Sequence, residues 1–208
     1  IGKMLERKAF YSYLRGFGFG QQTGIDLPGE AIGLLRTPNR WFEADLANIS
    51  FGQGVSVTPI QLATAVATIA NGGYLMEPYV VERVVDSQGQ ISQQNRPRVV
   101  RKVIASDVAQ TVTRMMEMTN EDGGTATHAR VPGFRVAGKT VTAQKVDAVT
   151  GTCSVDKRVA SFVGFLPAED PKLVMIVSLD EPYKVVYGGL TAAPIFSRIA
   201  AQAMQYLK

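Results

Sequence analysis

Two β-rich runs, residues 159–166 and 172–180, are separated only by Pro167-Ala-Glu-Asp-Pro171. A connection that short cannot cross over to a parallel neighbour, so the two runs must form an antiparallel hairpin. Residues 134–145 read as a third strand, rich in the β-branched Val136, Thr140, Val141 and Thr142. Leu173-Val-Met-Ile-Val-Ser-Leu179 is apolar on both faces and is expected to lie centrally, covered on both sides. From Pro194 onward, Ile195, Ile199, Ala203 and Leu207, with Phe196, Ala200 and Met204, recur at helical spacing. They predict an amphipathic C-terminal helix packed on the sheet.

Upstream, most of the signals are helical. Residues 1–15 carry Met4, Phe10, Tyr11 and Leu14 on one face, with Gly16 and Gly18 to stop the helix. Phe17 to Glu30 is a glycine-rich loop. Thr37-Pro38 opens a helix expected to run to about Ile49, with proline at its first position. Ser50-Phe-Gly-Gln-Gly54 is a second glycine-rich turn, without the Gly-Lys-Ser/Thr close of a phosphate-binding loop. Thr58-Pro59-Ile-Gln61 spells a capping box. The helix behind it is apolar nearly all round until Asn71-Gly72-Gly73, the mark of a buried central helix. Residues 79–86 and 98–104 are β-rich and read as a hairpin-like excursion about Ser87-Gln-Gly89. Ser106-Asp107 starts a helix with Val108, Val112, Met115 and Met116 inward, ending at Gly123-Gly124. Helices, then antiparallel strands, then a last helix make an α+β fold in which helices cover the sheet.

Composition removes several functions. Of 208 residues, 46% are hydrophobic and 19% charged, an ordinary globular balance. The net charge of +4 comes from scattered rather than clustered Lys and Arg, which argues against a nucleic-acid partner. Cys153 is the one cysteine, so no internal disulfide can form. His128 is the one histidine; no histidine-based metal site can be built, and a Ser-His-Asp triad would have to use that residue. It is expected to be solvated, as are Arg135 and Lys145, while Trp41 and Phe42 read as core or groove-lining. No apolar run approaches the length of a membrane-spanning helix.

The chemistry concentrates in Arg135-Val-Ala-Gly-Lys-Thr-Val-Thr-Ala-Gln-Lys145. Strand alternation puts Lys139, Val141 and Ala143 on one face and Thr140, Thr142 and Gln144 on the other. An ammonium and two hydroxyls on a rigid strand edge form an anion-recognition device. The same pattern also fits an edge strand that uses lysine to prevent aggregation.

Val136-Ala-Gly-Lys-Thr-Val-Thr-Ala-Gln144 resembles the Lys-Thr-Gly-Thr strand of penicillin-binding proteins. Gly124-Thr-Ala126, Val159-Ala-Ser-Phe-Val-Gly-Phe165, Asp180-Glu-Pro182, Tyr187-Gly-Gly189 and Ala192-Ala-Pro-Ile-Phe196 look like that family's neighbouring segments. Tyr13-Leu-Arg-Gly-Phe-Gly-Phe-Gly20, Gly24-Ile-Asp-Leu-Pro-Gly-Glu30, Ser50-Phe-Gly-Gln-Gly54 and Val57-Thr-Pro59 are similar to class B members of the cell-division type. The resemblance covers the whole chain, in order.

It implies the transpeptidase fold shared with β-lactamases. It also implies a D,D-transpeptidase that cross-links peptidoglycan stem peptides through a serine acyl-enzyme and that β-lactams acylate. The catalytic residues implied are Lys139, in the hydroxyl network, and Thr142, whose N–H completes an oxyanion hole. Thr140, Val141 and Gln144 are implied as substrate-binding. The partners implied are D-Ala-D-Ala stem peptides, β-lactams and division-machinery proteins, with no nucleic acid, no cofactor and no metal. The place implied is the extracytoplasmic face of the bacterial inner membrane.

Two departures from the family pattern qualify this expectation. The only Ser-x-x-Lys is Ser154-Val-Asp-Lys157, which follows the Lys-Thr strand and reads as a loop rather than a helix start; no Ser-x-Asn occurs. Residues 1–208 are therefore expected to be the C-terminal part of one transpeptidase domain, with the nucleophile on a part not given, and to be inactive alone. Secondly, valine stands at position 141 where the family has glycine. Its side chain is expected to crowd the acyl group and slow acylation. The alternatives are a degenerate, non-catalytic module with a structural or interaction role in cell division, and an acyl-transfer relative such as a carboxypeptidase, β-lactamase or β-lactam sensor.

Overall fold

A computed structural model describes residues 2–146 and 153–207. The chain divides into two compact units, Ile1–Thr68 with Gly73–Ala105, and Ile69–Gly72 with Ser106–Lys208.

In the first unit, a short 3-10 turn precedes helix α1 (Arg7–Gly16), which Gly18 ends with a positive φ of 96°. Phe10 and Tyr11 of α1 meet Trp41 edge-on, at ring distances of 6.4 and 6.1 Å. The single helix expected from Thr37 to Ile49 is instead a 3-10 turn, Pro38–Arg40, and helix α2 (Glu43–Ser50). Trp41 causes the break. It is extended (φ −89°, ψ 128°) and 4% exposed, and its indole N–H donates to the Arg36 carbonyl at 2.8 Å. Burying that ring with its polar atom satisfied outweighs continuing the helix. Its neighbour Phe42 is 76% exposed and belongs to no core.

Helix α3 (Pro59–Ala70) starts at the expected capping box. The Thr58 N–H donates to Gln61 Oε1 at 3.0 Å, and the Gln61 N–H donates to Thr58 Oγ1 at 3.2 Å. The helix is largely buried, and three of its buried residues, Gln61, Thr64 and Thr68, are polar. Each is satisfied by backbone carbonyls: Gln61 by those of Gln21 and Ile32, Thr64 by Ile60, and Thr68 by Thr64.

The expected excursion between 79 and 104 is two ribbons rather than one. Strand β1 (Tyr74–Glu77) pairs with β4 (Arg98–Lys102), while β2 (Arg83–Val85) pairs with β3 (Ile91–Gln94) about the Ser87-Gln-Gly89 turn. Ile91-Ser-Gln-Gln94 is too polar to read as a strand, so the sequence pattern hides the true partner of β2. The base of this ribbon is held by Asp26, whose carboxylate accepts the N–H groups of Val80 (2.8 Å) and Val81 (2.9 Å).

In the second unit, helix α4 (Ser106–Glu117) turns Ala109 inward; Val108 and Met115, expected inside, are 45% and 60% exposed. Three antiparallel strands follow, β5 (Ala137–Val146), β6 (Cys153–Leu166) and β7 (Leu173–Asp180), in the order β5-β6-β7. The β6–β7 hairpin is as expected, but β6, not β7, is central. The apolar run of β7 marks two half-buried faces. The centrality of β6 is masked in sequence by its small residues, Ala160, Ser161 and Gly164, all buried. Helix α5 (Ala192–Tyr206) covers one face with Phe196, Ala200 and Met204. Phe196 meets Phe162 edge-on at 4.7 Å in the middle of the core. Of the two stripes expected on α5, the Ile199 and Leu207 stripe faces out.

Among the described residues no helix is long and apolar enough to cross a membrane.

Candidate active site

Strand β5 is paired on one side only among the described residues. Its register places Thr140 opposite Phe162, and Val141 opposite Ser161. Cross-strand partners share a face. Thr140 and Thr142 therefore lie on the α5 side with Phe162, while Lys139 and Val141 lie on the other. A Cβ on Gly138 would stand 2.3 Å from the Phe162 ring, so the residue before Lys139 must be glycine if the strand is to lie flat on that ring.

The outer edge of β5 is built by backbone alternation. The Gly138 carbonyl accepts the Thr119 hydroxyl at 2.8 Å, and the Thr140 carbonyl accepts the Lys139 ammonium at 2.9 Å. Antiparallel strands turn the backbone groups of every second residue to the same side. The N–H of Thr142 consequently points outward along the same open edge. The Val136 carbonyl is taken by the Asn120 amide at 2.8 Å, so side chains from the turn before the strand close the edge as far as Gly138, and at Thr140 it is met by the strand's own Lys139.

Lys139 and Thr140 start from opposite faces and converge over this edge, with Lys139 Nζ 3.3 Å from Thr140 Oγ1. Lys139 pairs with no carboxylate among the described residues, and burial draws its pKa below the ordinary lysine value. Thr140 Oγ1 lies 3.4 Å from Thr125 Oγ1, and Thr142 Oγ1 accepts the Gly188 N–H at 3.4 Å. Gly188 and Gly189 press against the sheet. A Cβ on Gly188 would meet the Ser161 carbonyl at 2.1 Å, and one on Gly189 the Thr125 carbonyl at 2.1 Å. The result is an unneutralised ammonium, a row of hydroxyls and an aimed N–H along one open strand edge. Such an array can hold an anion and stabilise charge developing on a carbonyl oxygen.

The structure brings together Lys139, Thr140 and Thr142 of the expected residues. Val141 stands half-buried beside Ser161 on the Lys139 face. Gln144 directs its amide to the Ser154 carbonyl at 3.2 Å. Ser154-Val-Asp-Lys157 is strand rather than loop. It forms a bulge opposite the end of β5, and Ser154 Oγ accepts the N–H groups of Asp156 and Lys157 (3.3 and 3.0 Å). Gly151 and Thr152, part of the same expected loop, lie outside the described residues. Arg135 is ion-paired with Glu117 at 2.8 Å, and Lys145 with Asp180 and Glu181 at 2.9 and 2.8 Å, so neither is simply solvated. The hydrogen bonds that the Lys145 ammonium donates to Glu181 and then to Asp180 raise its pKa. His128 is exposed, in a 3-10 turn. The sequence reading does not single out Thr119, and it names Thr125 only within the Gly124-Thr-Ala126 resemblance, because hydroxyls in a Gly-rich turn carry no periodic signal.

Two cavities of about 380 and 570 Å³ adjoin the Arg135–Glu117 pair, and neither is lined by Lys139, Thr140 or Thr142. The candidate site is the open edge of β5, outside these two cavities. Among the described residues no cluster of His, Cys, Asp or Glu could hold a metal ion.

Residues 1–201 match the family described as "Penicillin binding protein transpeptidase domain". The chain is 38% identical to Stage V sporulation protein D of Bacillus subtilis, over 100% of this chain and 32% of that protein. It is 33% identical to the probable peptidoglycan D,D-transpeptidase PenA of Neisseria gonorrhoeae, over 95% of this chain and 32% of that protein. The crystal structure of penicillin binding protein 3 of Mycobacterium tuberculosis superposes with a TM-score of 0.90 at 34% identity, covering 98% of this chain and 47% of that one; the protein is also described complexed with aztreonam and with ampicillin. The chain thus spans about a third of the length of these curated relatives.

Proposed function

The chain belongs to the class B penicillin-binding protein transpeptidase family, and on that premise we propose that it is part of a peptidoglycan D,D-transpeptidase that β-lactams acylate. One observation carries the reading: the open edge of β5 gathers Lys139, Thr140 and the outward N–H of Thr142 within one short stretch.

The chemistry follows from that edge. A serine from the rest of the protein attacks the carbonyl carbon of the D-Ala-D-Ala amide. The carbonyl oxygen becomes an oxyanion against the Thr142 N–H, which is already aimed and costs no reorganisation. The substrate's terminal carboxylate lies at the hydroxyls of Thr140 and Thr142, in the field of Lys139. The C–N bond breaks, D-Ala leaves with a proton on its nitrogen, and an amine of a second stem peptide displaces the serine. A lysine whose pKa burial has lowered is suited to pass a proton through this hydroxyl network. β-Lactams carry a carboxylate and a strained amide, so they enter the same way and stop at the acyl stage.

The nucleophile lies outside residues 1–208. Ser154 supports this, since its hydroxyl is engaged by two backbone N–H groups within a strand bulge. The enzyme works on the extracytoplasmic face of the bacterial inner membrane, a reading supported by its peptidoglycan-transpeptidase relative, and takes division-machinery proteins as partners.

Labelling of the full-length protein by a fluorescent penicillin tests the proposal. Wild type should label and Lys139→Met should label about a hundredfold more slowly or less. Equal labelling of the two would contradict it.

A further inference from the structure

We propose that Lys145 and Glu181 are positioning residues for the oxyanion-binding part of β5: their ion pair holds the strand beyond Thr142, and the loop that returns to Thr142, in one arrangement. The assignment rests on the function proposed above and concerns residues that act through Thr142 rather than on substrate.

The β5–β6 ladder lapses just past the site. Thr142, Ala143 and Gln144 pair with Ala160, Val159 and Arg158, and the next pair is Val146 with Cys153. Lys145 and residues 154–157 fall between these pairs, in a bulge that leaves them without ladder partners. Side chains take over there. Gln144 donates to the Ser154 carbonyl at 3.2 Å. Lys145 reaches across β6 to the end of β7, donating to the two Asp180 carboxylate oxygens at 2.9 and 3.0 Å and to Glu181 Oε1 at 2.8 Å. These contacts use the full donor capacity of an ammonium.

Glu181 is held in a conformation it does not favour. It is the one non-glycine among the described residues with a positive φ, 49°, where a side chain crowds the backbone. Pro182 behind it also favours an extended predecessor. Two bonds oppose these preferences: its N–H donates to the Arg158 carbonyl at 2.9 Å, and its carboxylate accepts the Lys145 ammonium. The turn so fixed sends the chain through residues 182–187 and back to Gly188, whose N–H donates to Thr142 Oγ1 at 3.4 Å. That contact is long, so it depends on accurate delivery of the loop. The loop is thus tied to β5 at both ends, at Lys145 and at Thr142. An oxyanion donor counts most when it is aimed before the reaction, and a loosened tie disturbs the aim without removing the donor. With 33% and 42% of their side chains exposed, Lys145 and Glu181 add little to folding, so effects on rate and on stability can be read apart.

The test is stopped-flow acylation of the full-length protein by a fluorescent penicillin over a range of concentrations, which separates the limiting rate from the half-saturating concentration. Lys145→Met should lower the limiting rate about tenfold, a fraction of what a whole oxyanion donor supplies, and leave half-saturation within about twofold of wild type. Lys145→Arg keeps the charge and should stay close to wild type. Glu181→Gln should slow acylation less than Lys145→Met, because Asp180 still holds the ammonium. The double variant should be no slower than Lys145→Met alone, since both changes break one tie. An unchanged limiting rate in Lys145→Met would overturn the assignment, and so would a rise in half-saturation alone, which would place Lys145 on the ligand. Lys145→Arg as slow as Lys145→Met, or a double variant slowed by the product of the single effects, would overturn it too. A wild-type protein that does not label would overturn the proposed function itself, and this assignment with it.

Discussion

The hydroxyl of Thr119 donates to the carbonyl of Gly138 at 2.8 Å, and with that bond a turn outside the sheet stops the open edge of β5. An extended peptide adding to the edge can pair only from Thr140 onward. Thr119→Val removes the stop and is expected to cost about 1 kcal/mol of stability. Hydrogen exchange should show faster exchange in the turn 118–126, and acylation of the full-length protein should slow. Unchanged exchange there would mean the bond does not hold the turn.

Val141 occupies the place where the family has glycine, on the Lys139 face of the strand. Val141→Gly is expected to lower the acylation barrier of the full-length protein by about 1–3 kcal/mol, the scale of relieved crowding. It should also destabilise the strand by about 0.5–1 kcal/mol. Acylation rate by a fluorescent penicillin, read beside the urea midpoint, separates the two effects. A glycine variant that labels no faster would remove crowding as the role of Val141. It would favour the non-catalytic module instead if the wild type also failed to label.

Gly188 leaves no room for a side chain, since its Cβ would meet the carbonyls of Ser161 and Val141 at 2.1 and 2.8 Å. Backbone cannot yield as a flexible side chain can. Gly188→Ala should cost about 1–3 kcal/mol in stability. It should also shift Thr142, whose hydroxyl accepts the Gly188 N–H. A thermal shift with unchanged melting would show that the loop has slack.

Asp26 gives a pH dependence with a definite sign. The N–H groups of Val80, then Val81, lower its pKa below 3.8. Its contribution is fully present above that unfolded-state value and is lost as pH falls through the lower folded-state value. The urea midpoint of wild type minus that of Asp26→Ala should be constant at neutral pH and shrink below pH 3.8. A difference that grows on acidification would contradict the hydrogen-bond account.

Much of this fold is legible where local chemistry and tertiary packing agree. The Thr58–Gln61 capping box, the β6–β7 hairpin and the buried stripe of α5 all follow from spacing alone. Reading fails where packing overrides it. Trp41 breaks a helix to bury its indole, and small residues in β6 hide the most buried strand of the sheet. The site divides the same way. Lys139 announces itself as a charge in the middle of a strand, with the hydroxyls of Thr140 and Thr142 beside it. Thr119 and Thr125 reach the edge only through the turn that carries them, and no spacing rule connects a turn to a strand that far along the chain.

The most direct test of the central claim is intact mass and peptide mapping of the full-length protein after incubation with benzylpenicillin. The account predicts one stoichiometric adduct, on a serine outside residues 1–208, with Ser154 unmodified. No adduct, or an adduct on Ser154 or any other serine of residues 1–208, would contradict it.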